Sequence, residues 1–401
     1  MIYKYRAVSD TGQITEGTFE GQSTEDVVYM LRGKKFHPIS IEEAEVSDPK
    51  RAISLNSKVG KKDIAVFCRQ FYTMLNAGIS IVSCLDILEK QTENKILKNA
   101  IKESYEDVQK GMTLSEAMKK YEKAFPMLLI NMVEAGEVSG TLDVIMDRMA
   151  THYEKENKID NKVKSAFVYP VILIIVSVVV VVFLLVNVMP TFIGMFESSG
   201  VALPGPTRAL LNMSDRLENY WYIDISIIFL IVVGIKFYSH TNSGRLLFDT
   251  IKLKFPGIKR TNIKIITSRF TRTLSTLLSS GIPLIQALEV VSRVVGNVVV
   301  VNGLEEAIKD IRKGVPLSST IRDIDVFPPM VYSMIKVGEE SGSLDEILQK
   351  TADFYDDEVE VSLQKMTTAL EPILIVVMAL IIGFIVIAMA MPMFDMVNTV
   401  Q

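Results

Sequence analysis

The sequence has few of the residues that build metal centres, disulfide frameworks or nucleophilic sites. Its 401 residues include two cysteines, three histidines and one tryptophan. Cys68 and Cys84 lie in a lysine-rich stretch with helical periodicity, which favours buried free thiols of a reducing compartment over a disulfide. His37, His152 and His240 are too far apart along the chain to form a metal cluster. We therefore expect neither a cofactor nor a metal centre.

Other absences narrow the class of protein further. The chain contains no phosphate-binding loop of the Walker type, so we expect no nucleotide hydrolysis by this chain. The net charge of −4 gives no basis for binding nucleic acid. The first residues, "MIYKYRAVSD", lack the apolar run of a signal peptide. An enzyme is not expected, and energy-dependent work would need another chain to hydrolyse the nucleotide.

Apolar residues are concentrated in long runs. The hydrophobic content is 49% and the mean hydropathy is +0.28, yet 22% of residues are charged. Two runs, Ala166–Met189 and Pro372–Met391, carry no charge and are long enough to cross a bilayer. A weaker run, Trp221–Tyr238, has Asp224 near one end and Lys236 near the other, where each can reach an interface. The sequence predicts three transmembrane helices.

The distribution of basic residues predicts the orientation of these helices. Lysines precede the first run and basic residues follow the second, whereas the loop between them has few and the tail after the third has none. We therefore expect the N-terminus and residues 239–368 in the cytoplasm, and the loop 190–220 and the C-terminus outside. The basic residues on the cytoplasmic side are Lys155, Lys158, Lys162, Lys164, Lys236, Arg245, Lys252, Lys254, Lys259 and Arg260.

The chain contains a long internal repeat. "FCRQFYTMLNAGISI" (Phe67–Ile81) aligns with "FTRTLSTLLSSGIPL" (Phe270–Leu284), and "AGEVSGTLD" (Ala135–Asp143) aligns with "VGEESGSLD" (Val337–Asp345). Each copy comprises a helical part followed by one apolar run, and the weaker run returns the chain to the cytoplasm. Both copies therefore have the same orientation, and we expect a parallel pseudo-twofold relation along the membrane normal.

Glycines mark the expected helix ends within each copy. Gly78 and Gly281 follow an amphipathic stretch at the position where a left-handed residue is usual. Gly136 and Gly338 are interpreted in the same way, as helix ends with positive φ. Glu137, which follows Gly136, is interpreted as a solvated turn residue, as is its counterpart in the second copy. A structural role for these turns is preferred to direct binding of a partner.

The fold class predicted is a mainly α integral membrane protein with two tandem helical-bundle cytoplasmic domains, three transmembrane helices and a small N-terminal α+β segment. The N-terminal residues have the pattern of a ββαβ segment. The predicted boundaries are 1–45 for that segment, 46–62 for a polar linker, 63–165 and 239–368 for the helical domains, 166–189, 221–238 and 369–391 for the spans, 190–220 for the outer loop and 392–401 for the outer tail.

The repeated G-E-x-S-G-x-L turn before a single span resembles the inner-membrane platform proteins of type IV pili and type II secretion, the secretion F family. Further similarities are "YP" at Tyr169, "LPGPTR" at Leu203, "LEP" at Leu370 and "MPMF" at Met391, and the resemblance covers essentially the whole chain. The residues that match the family motif are Gly78, Gly136, Glu137, Ser139, Gly140, Leu142, Gly281, Gly338, Glu339, Ser341, Gly342 and Leu344.

The resemblance implies a function that the spacing of residues does not. Such platforms lie at the base of a filament machine, contact a cytoplasmic hexameric assembly ATPase and oligomerise. They help pilins or pseudopilins, with other inner-membrane assembly proteins, to enter the filament from the lipid bilayer. Pilus, secretion and DNA-uptake machines all remain open. The alternatives are a small membrane transporter built from tandem parallel repeats and a membrane receptor with duplicated sensor domains.

One charged residue near a span stands apart from the repeat. Glu371 precedes Pro372 at the cytoplasmic end of the third run, where the first copy has the uncharged Tyr169. A carboxylate so close to hydrocarbon needs a partner or water. One interpretation is an interfacial carboxylate in water or paired with Lys365. The other is a contact with a basic group of a neighbouring protomer or an incoming pilin, and Glu371 is our candidate partner contact.

Overall fold

The computed structural model describes residues 2–9, 14–20, 24–33, 36–43, 58–191 and 204–399. Most of the predicted linker (46–57), the middle of the predicted outer loop (192–203) and the last two residues lie outside the described part of the chain. The chain forms two compact units, Met1–Lys58 and Val59–Gln401.

The N-terminal unit is a three-stranded antiparallel sheet with one helix. Strands β1 (Ile2–Ser9), β2 (Ile14–Glu20) and β3 (Phe36–Glu43) have the order β2-β1-β3, and α1 (Thr24–Gly33) connects β2 to β3. Both neighbours pair with β1 in antiparallel register. The ββαβ prediction is confirmed. Its small core consists of Tyr3, Ala7, Val27 and Leu31, which are all buried.

The second unit is helical and repeats the same succession of helices twice. Gly78 and Gly281 have φ values of 81° and 80°, so both glycines adopt the left-handed conformation expected after the first helix of each copy. The first copy contains α2 (Lys61–Asn76), α3 (Ile81–Gln91), α4 (Lys95–Gln109), α5 (Leu114–Lys119), α6 (Met127–Ser139) and α7 (Leu142–Phe183). The second contains α10 (Lys259–Ser279), α11 (Leu284–Val294), α12 (Val298–Ile311), α13 (Leu317–Asp323), α14 (Pro329–Ser341) and α15 (Leu344–Thr399).

Two helices join the copies, and the three apolar runs are helical as predicted. Helix α8 (Gly205–Tyr238) contains the weaker run and has a non-helical residue at Tyr220, with φ −127° and ψ 17°. Helix α9 (Asn242–Lys254) follows it directly. Among the described residues, three helices are long and apolar enough to cross a membrane.

The predicted boundaries between soluble domain and span are not helix ends. Helix α7 runs for 42 residues from the turn that follows α6 into the first apolar run, and a π-helical turn (Leu184–Val188) continues it. Helix α15 runs for 56 residues through the third apolar run. At 1.5 Å per residue, α15 is about 80 Å long, far more than a bilayer requires. Each copy is therefore connected to its span by a continuous helix.

One core extends through both cytoplasmic domains. In the first copy α2 packs on α7 around Phe67 and Phe71, and in the second α10 packs on α15 around Phe270. The ring centroids of Phe270 and Phe327 lie 4.7 Å apart. Cys68 is buried in this core, and both cysteines are free thiols, in agreement with the sequence.

The two long helices also pack on each other. Ile159 of α7 and Val359 and Leu363 of α15 form a separate buried cluster where the helices approach the membrane. At the other end of the apolar runs, Thr207 of α8 donates to the carbonyl of Ala388 at 2.5 Å. The part of α8 that precedes its apolar run therefore packs against the ends of the other two spans.

Candidate functional site

The repeated G-E-x-S-G-x-L turn ends one helix and begins the next, but its first glycine is not the helix end. Gly140 and Gly342 have φ values of 71° and 70°, and they cap α6 and α14 in the left-handed conformation. Gly136 and Gly338 lie inside these helices with ordinary negative φ. The prediction of positive φ at Gly136 and Gly338 was therefore wrong, because the helix continues for one more turn to the second glycine of the motif.

Gly136 and Gly338 are required for close packing. A Cβ atom at residue 136 would lie 3.1 Å from the Cα atom of Leu142, and one at residue 338 would lie 2.9 Å from the Cα atom of Leu344. The distance at residue 338 is shorter than real Cβ contacts, and the one at residue 136 is tight enough that Leu142 would have to shift slightly. The first glycine therefore lets the chain reverse so tightly that the next helix begins against the previous one.

Glu137 and Glu339 hold the N-terminus of another helix, and the interpretation as solvated turn residues was wrong. The carboxylate of Glu137 accepts hydrogen bonds from the backbone N–H groups of Leu114 (2.5 Å) and Ser115 (3.0 Å) at the start of α5. Glu339 accepts from Leu317 (2.6 Å) and Ser318 (3.1 Å) at the start of α13. These N–H groups have no partner within their own helix, and a carboxylate there also interacts favourably with the helix dipole.

The last motif positions complete the turn. The hydroxyl of Ser139 donates to the carbonyl of Ala135 at 2.8 Å, and Ser341 donates to Val337 at 2.7 Å. Leu142 and Leu344 are the first residues of α7 and α15 and pack against the shared core. The motif therefore has a structural role at every letter that the two copies share, and in each copy it fixes the base of the helix that enters the membrane.

Ion pairs within each copy are repeated with the motif. A basic residue of α2 or α10 pairs with an acid on the long helix that packs beside it. These pairs tie the first helix of each copy to the helix that enters the membrane. The equivalent pairs are Lys61–Glu156 (2.6 Å) with Lys264–Glu358 (2.6 Å), and Arg69–Glu154 (2.8 Å) with Arg272–Asp356.

A second set of charges joins the two copies. Arg269 of α10 reaches across to α7, where it pairs with Asp160 at 2.8 Å and lies 3.5 Å from Glu156. Lys155 of α7 pairs with Asp353 of α15. Glu156 is 3% exposed, so its charge depends on these neighbours. This cluster was missed from the sequence, because its members lie far apart along the chain.

Burial sets the ionisation of this cluster. Burial, together with the neighbouring Arg272 and Lys61, lowers the pKa of His152 to about 4 against the opposing effect of Glu156. Burial would raise the pKa of Glu156, but Arg269 and Lys61 hold it below its ordinary value. The cluster at neutral pH therefore contains a neutral imidazole beside an ionised carboxylate.

Glu371 contacts its own counterpart in the other copy. The hydroxyl of Tyr169 donates to Glu371 Oε1 at 3.2 Å. Both side chains are exposed, and Lys365 forms no ion pair with Glu371 within the described structure. Two equivalent residues can touch only where they lie close to the axis that relates the copies, so this contact agrees with the pseudo-twofold relation expected from the sequence.

The described residues contain no group of three or more His, Cys, Asp or Glu side chains placed to hold a metal ion. An open pocket of about 620 Å³ lies at the junction of α8, α9, α11 and α12 and is lined by Ile235, Arg245, Phe248, Arg293 and Val298 among others. Its walls contain no nucleophile paired with a base. The arrangement is that of two cytoplasmic helical domains fixed to membrane helices.

These features define an integral membrane protein made of two tandem helical domains, each of which ends in a span. The family of type II secretion system protein F matches residues 67–190 and 270–392, and the N-terminal domain of the same protein matches residues 1–42. The chain belongs to this family of inner-membrane platform proteins. The two matched segments coincide with the two copies of the repeat.

Relatives with assigned names cover the whole chain. A type IV pilus assembly protein PilC of Thermus thermophilus is 38% identical over 407 residues, which span 100% of this chain and 99% of that protein. A PilC protein of Myxococcus xanthus is 35% identical over 399 residues, spanning 100% and 96%. A type II secretion system protein F of Vibrio cholerae is 31% identical over 400 residues, spanning 99% and 98%. The relatives are assembly proteins, and none of these names indicates an enzyme.

Proposed function

We propose that this protein is the inner-membrane platform that couples a cytoplasmic assembly ATPase to the insertion of pilins or pseudopilins into a filament. Membership of the family supports this role, since its relatives are named for pilus assembly and secretion. The observation that carries the proposal is the continuity of α7 and α15 from the repeated turns into the membrane. A displacement of either cytoplasmic domain is transmitted by such helices to the spans.

The continuity of α15 can be tested with paired glycines. Gln364 and Lys365 lie on the exposed surface of α15 before the membrane, and glycine weakens a helix interior by about 0.5–1 kcal/mol per residue. We expect Gln364→Gly/Lys365→Gly to reduce filament assembly or secretion at normal protein level. Glu305→Gly/Glu306→Gly on the exposed surface of α12 is the matched control, since α12 does not enter the membrane. Wild-type filament output from the α15 variant would contradict the proposal.

The partners follow from the same proposal. The cytoplasmic domains bind the hexameric ATPase, the spans contact pilins or pseudopilins and other inner-membrane assembly proteins, and the protein acts as a homo-oligomer. Co-purification of the full chain with the ATPase and with pilin tests these contacts. Transport of a small solute in reconstituted vesicles, without either partner, would instead support a transporter.

The orientation belongs to this proposal too. The basic residues around 155–164 and 236–260 support a cytoplasmic N-terminus, three spans and an outer C-terminus. In a chain without Cys68 and Cys84, single cysteines at Ser199 and Asn398 should react with an impermeant maleimide in intact cells. A cysteine at Ser243 should not react, and labelling there would contradict the topology.

Glu371 is the proposed contact with a partner in or near the membrane. Its only hydrogen bond within the described residues comes from Tyr169, which leaves its charge without a basic partner. Glu371→Gln should insert normally and reduce filament output. Tyr169→Phe is the control, since it removes the internal hydrogen bond and keeps the carboxylate. Equal loss in both variants would mean that the internal hydrogen bond, and not a partner, explains Glu371.

A further inference from the structure

Helix α9 carries an apolar surface that the rest of the described chain does not cover. Leu246, Leu247 and Ile251 are 45%, 47% and 46% exposed, and Phe255 just beyond the helix is 57% exposed. Asp249 and Leu253 on the other side are buried, with Asp249 accepting the N–H of Val298 at the start of α12. The helix is therefore docked on the second domain by one side only.

The turn before α9 fixes the helix at the cytoplasmic end of a span. A Cβ atom at Gly244 would lie 1.9 Å from the carbonyl oxygen of Tyr238, the last residue of α8. The rings of Tyr238 and Phe248 lie 6.5 Å apart, so the middle of α9 remains at the level where α8 ends. Helix α9, with its exposed apolar side chains, is therefore held directly at the end of α8.

The charges around α9 are those of a helix that rests on an anionic membrane surface. The segment from Asn242 to Arg260 contains Arg245, Lys252, Lys254, Lys259 and Arg260 and a single acid, Asp249, which already pairs with Lys252. Arg245 and Lys254 are exposed and have no ion pair among the described residues. Basic residues beside an exposed apolar face are the pattern of an interfacial helix that binds acidic phospholipids.

We propose that α9 is a membrane-surface helix that holds the second cytoplasmic domain on the inner leaflet, with Leu246, Leu247 and Ile251 inserted between acidic phospholipids and Arg245 and Lys254 at their phosphates. In the first copy the succession of helices begins at α2, and no described helix of the second unit precedes α2. Within the described residues, only the second copy has such a helix. It goes beyond the proposed platform role and does not depend on it.

The membrane contact can be measured by fluorescence quenching in the full chain. Trp221 is the only tryptophan, so Trp221→Phe provides a background without tryptophan fluorescence. Leu247→Trp in that background is reconstituted in nanodiscs of phosphatidylglycerol and phosphatidylcholine whose acyl chains carry bromine near the headgroup. The matched control is Val337→Trp, because the side chain of Val337 is 46% exposed. About 40 Å of α15 separates the turn beside Val337 from the membrane, at 1.5 Å per residue.

We expect brominated lipid to quench the tryptophan at residue 247 and to leave the one at 337 unchanged. Equal quenching at the two positions would overturn the proposal. Absence of quenching at 247, as expected if a second copy or another protein covers the face, would also overturn it. The acidic lipid is tested by Arg245→Gln/Lys254→Gln, which should abolish the extra quenching seen with phosphatidylglycerol. The control variant Lys336→Gln/Lys350→Gln removes the same amount of charge near Val337 and should leave the extra quenching at residue 247 unchanged. Quenching that is independent of phosphatidylglycerol in the unmodified background would overturn the assignment to acidic lipid.

Discussion

Replacing Glu137 by glutamine should open helix α5 without disturbing the rest of the first domain. The carboxylate accepts two backbone N–H groups, from Leu114 at 2.5 Å and from Ser115 at 3.0 Å. Glutamine has one acceptor oxygen, so its amide nitrogen would face the second N–H and that bond would be lost. A hydrogen bond to a charged group contributes about 1.5–3 kcal/mol, so we expect the start of α5 to be destabilised by about that amount.

Hydrogen exchange of the full chain in detergent measures this effect locally. A loss of about 1.4 kcal/mol corresponds to a tenfold change in an opening equilibrium, so amides in the first turn of α5 should exchange about 10- to 100-fold faster. Glu134→Gln is the matched control, because Glu134 lies one turn earlier on α6, is exposed and has no partner among the described residues. Unchanged exchange in Glu137→Gln, or equal acceleration in Glu134→Gln, would refute the capping role.

Two further predictions concern the motif and the buried cluster. Gly338→Asn should lower the thermal unfolding midpoint and Gly342→Asn should not, since asparagine tolerates left-handed φ at 342 whereas a Cβ atom at 338 meets Leu344 at 2.9 Å; similar midpoints would contradict this assignment. The pKa of His152 is about 4 in the folded protein, against an ordinary value of 6.5. Between pH 4 and pH 6.5 the unfolded chain therefore binds more protons than the folded one, so the free energy of unfolding falls as the pH falls. The variant His152→Phe carries the residue that the second copy has at the equivalent position, Phe354. Between pH 7 and pH 5, its free energy of unfolding should fall by about 2 kcal/mol less than that of the wild type. The same pH dependence in both proteins would contradict this prediction.

The membrane helices and the duplication were predictable because they rest on local patterns. A run of 20 or more apolar residues needs no knowledge of the fold to be assigned to a bilayer, and repeated letters reveal a repeated structure. The left-handed glycines at Gly78 and Gly281 follow in the same way from the end of an amphipathic pattern. The error at Gly136 has a physical reason, since two glycines four residues apart both fit a helix end and only packing against Leu142 distinguishes them.

The roles of Glu137 and Arg269 could not be predicted, because their partners lie far along the chain. Glu137 binds backbone groups more than twenty residues earlier, and Arg269 reaches Asp160 more than one hundred residues away. The repeat contained one usable signal. Glu137 and Glu339 recur 23 and 22 residues after the first residue of a short helix, and an acid kept in both copies beside a helix N-terminus is a candidate for capping it.

Two ion pairs within a copy are duplicated, whereas the ion pairs between the copies are not. The pair Arg69–Glu154 has its equivalent in Arg272–Asp356, but the side chain of Arg69 is 36% exposed and that of Arg272 is 3% exposed. The two copies also differ in sequence at a residue that joins them. Arg269, which pairs with the first copy, corresponds to the uncharged Val66.

The acid that Arg269 contacts is also confined to one copy. Asp160 corresponds to Ser362 in the second copy, and Lys162, which pairs with Glu360 between the copies, corresponds to Gln364. A symmetric contact between identical copies would place the same residue on both sides. The two copies have instead diverged where they face each other, so each now fits the other in one arrangement, with α7 and α15 side by side at the membrane.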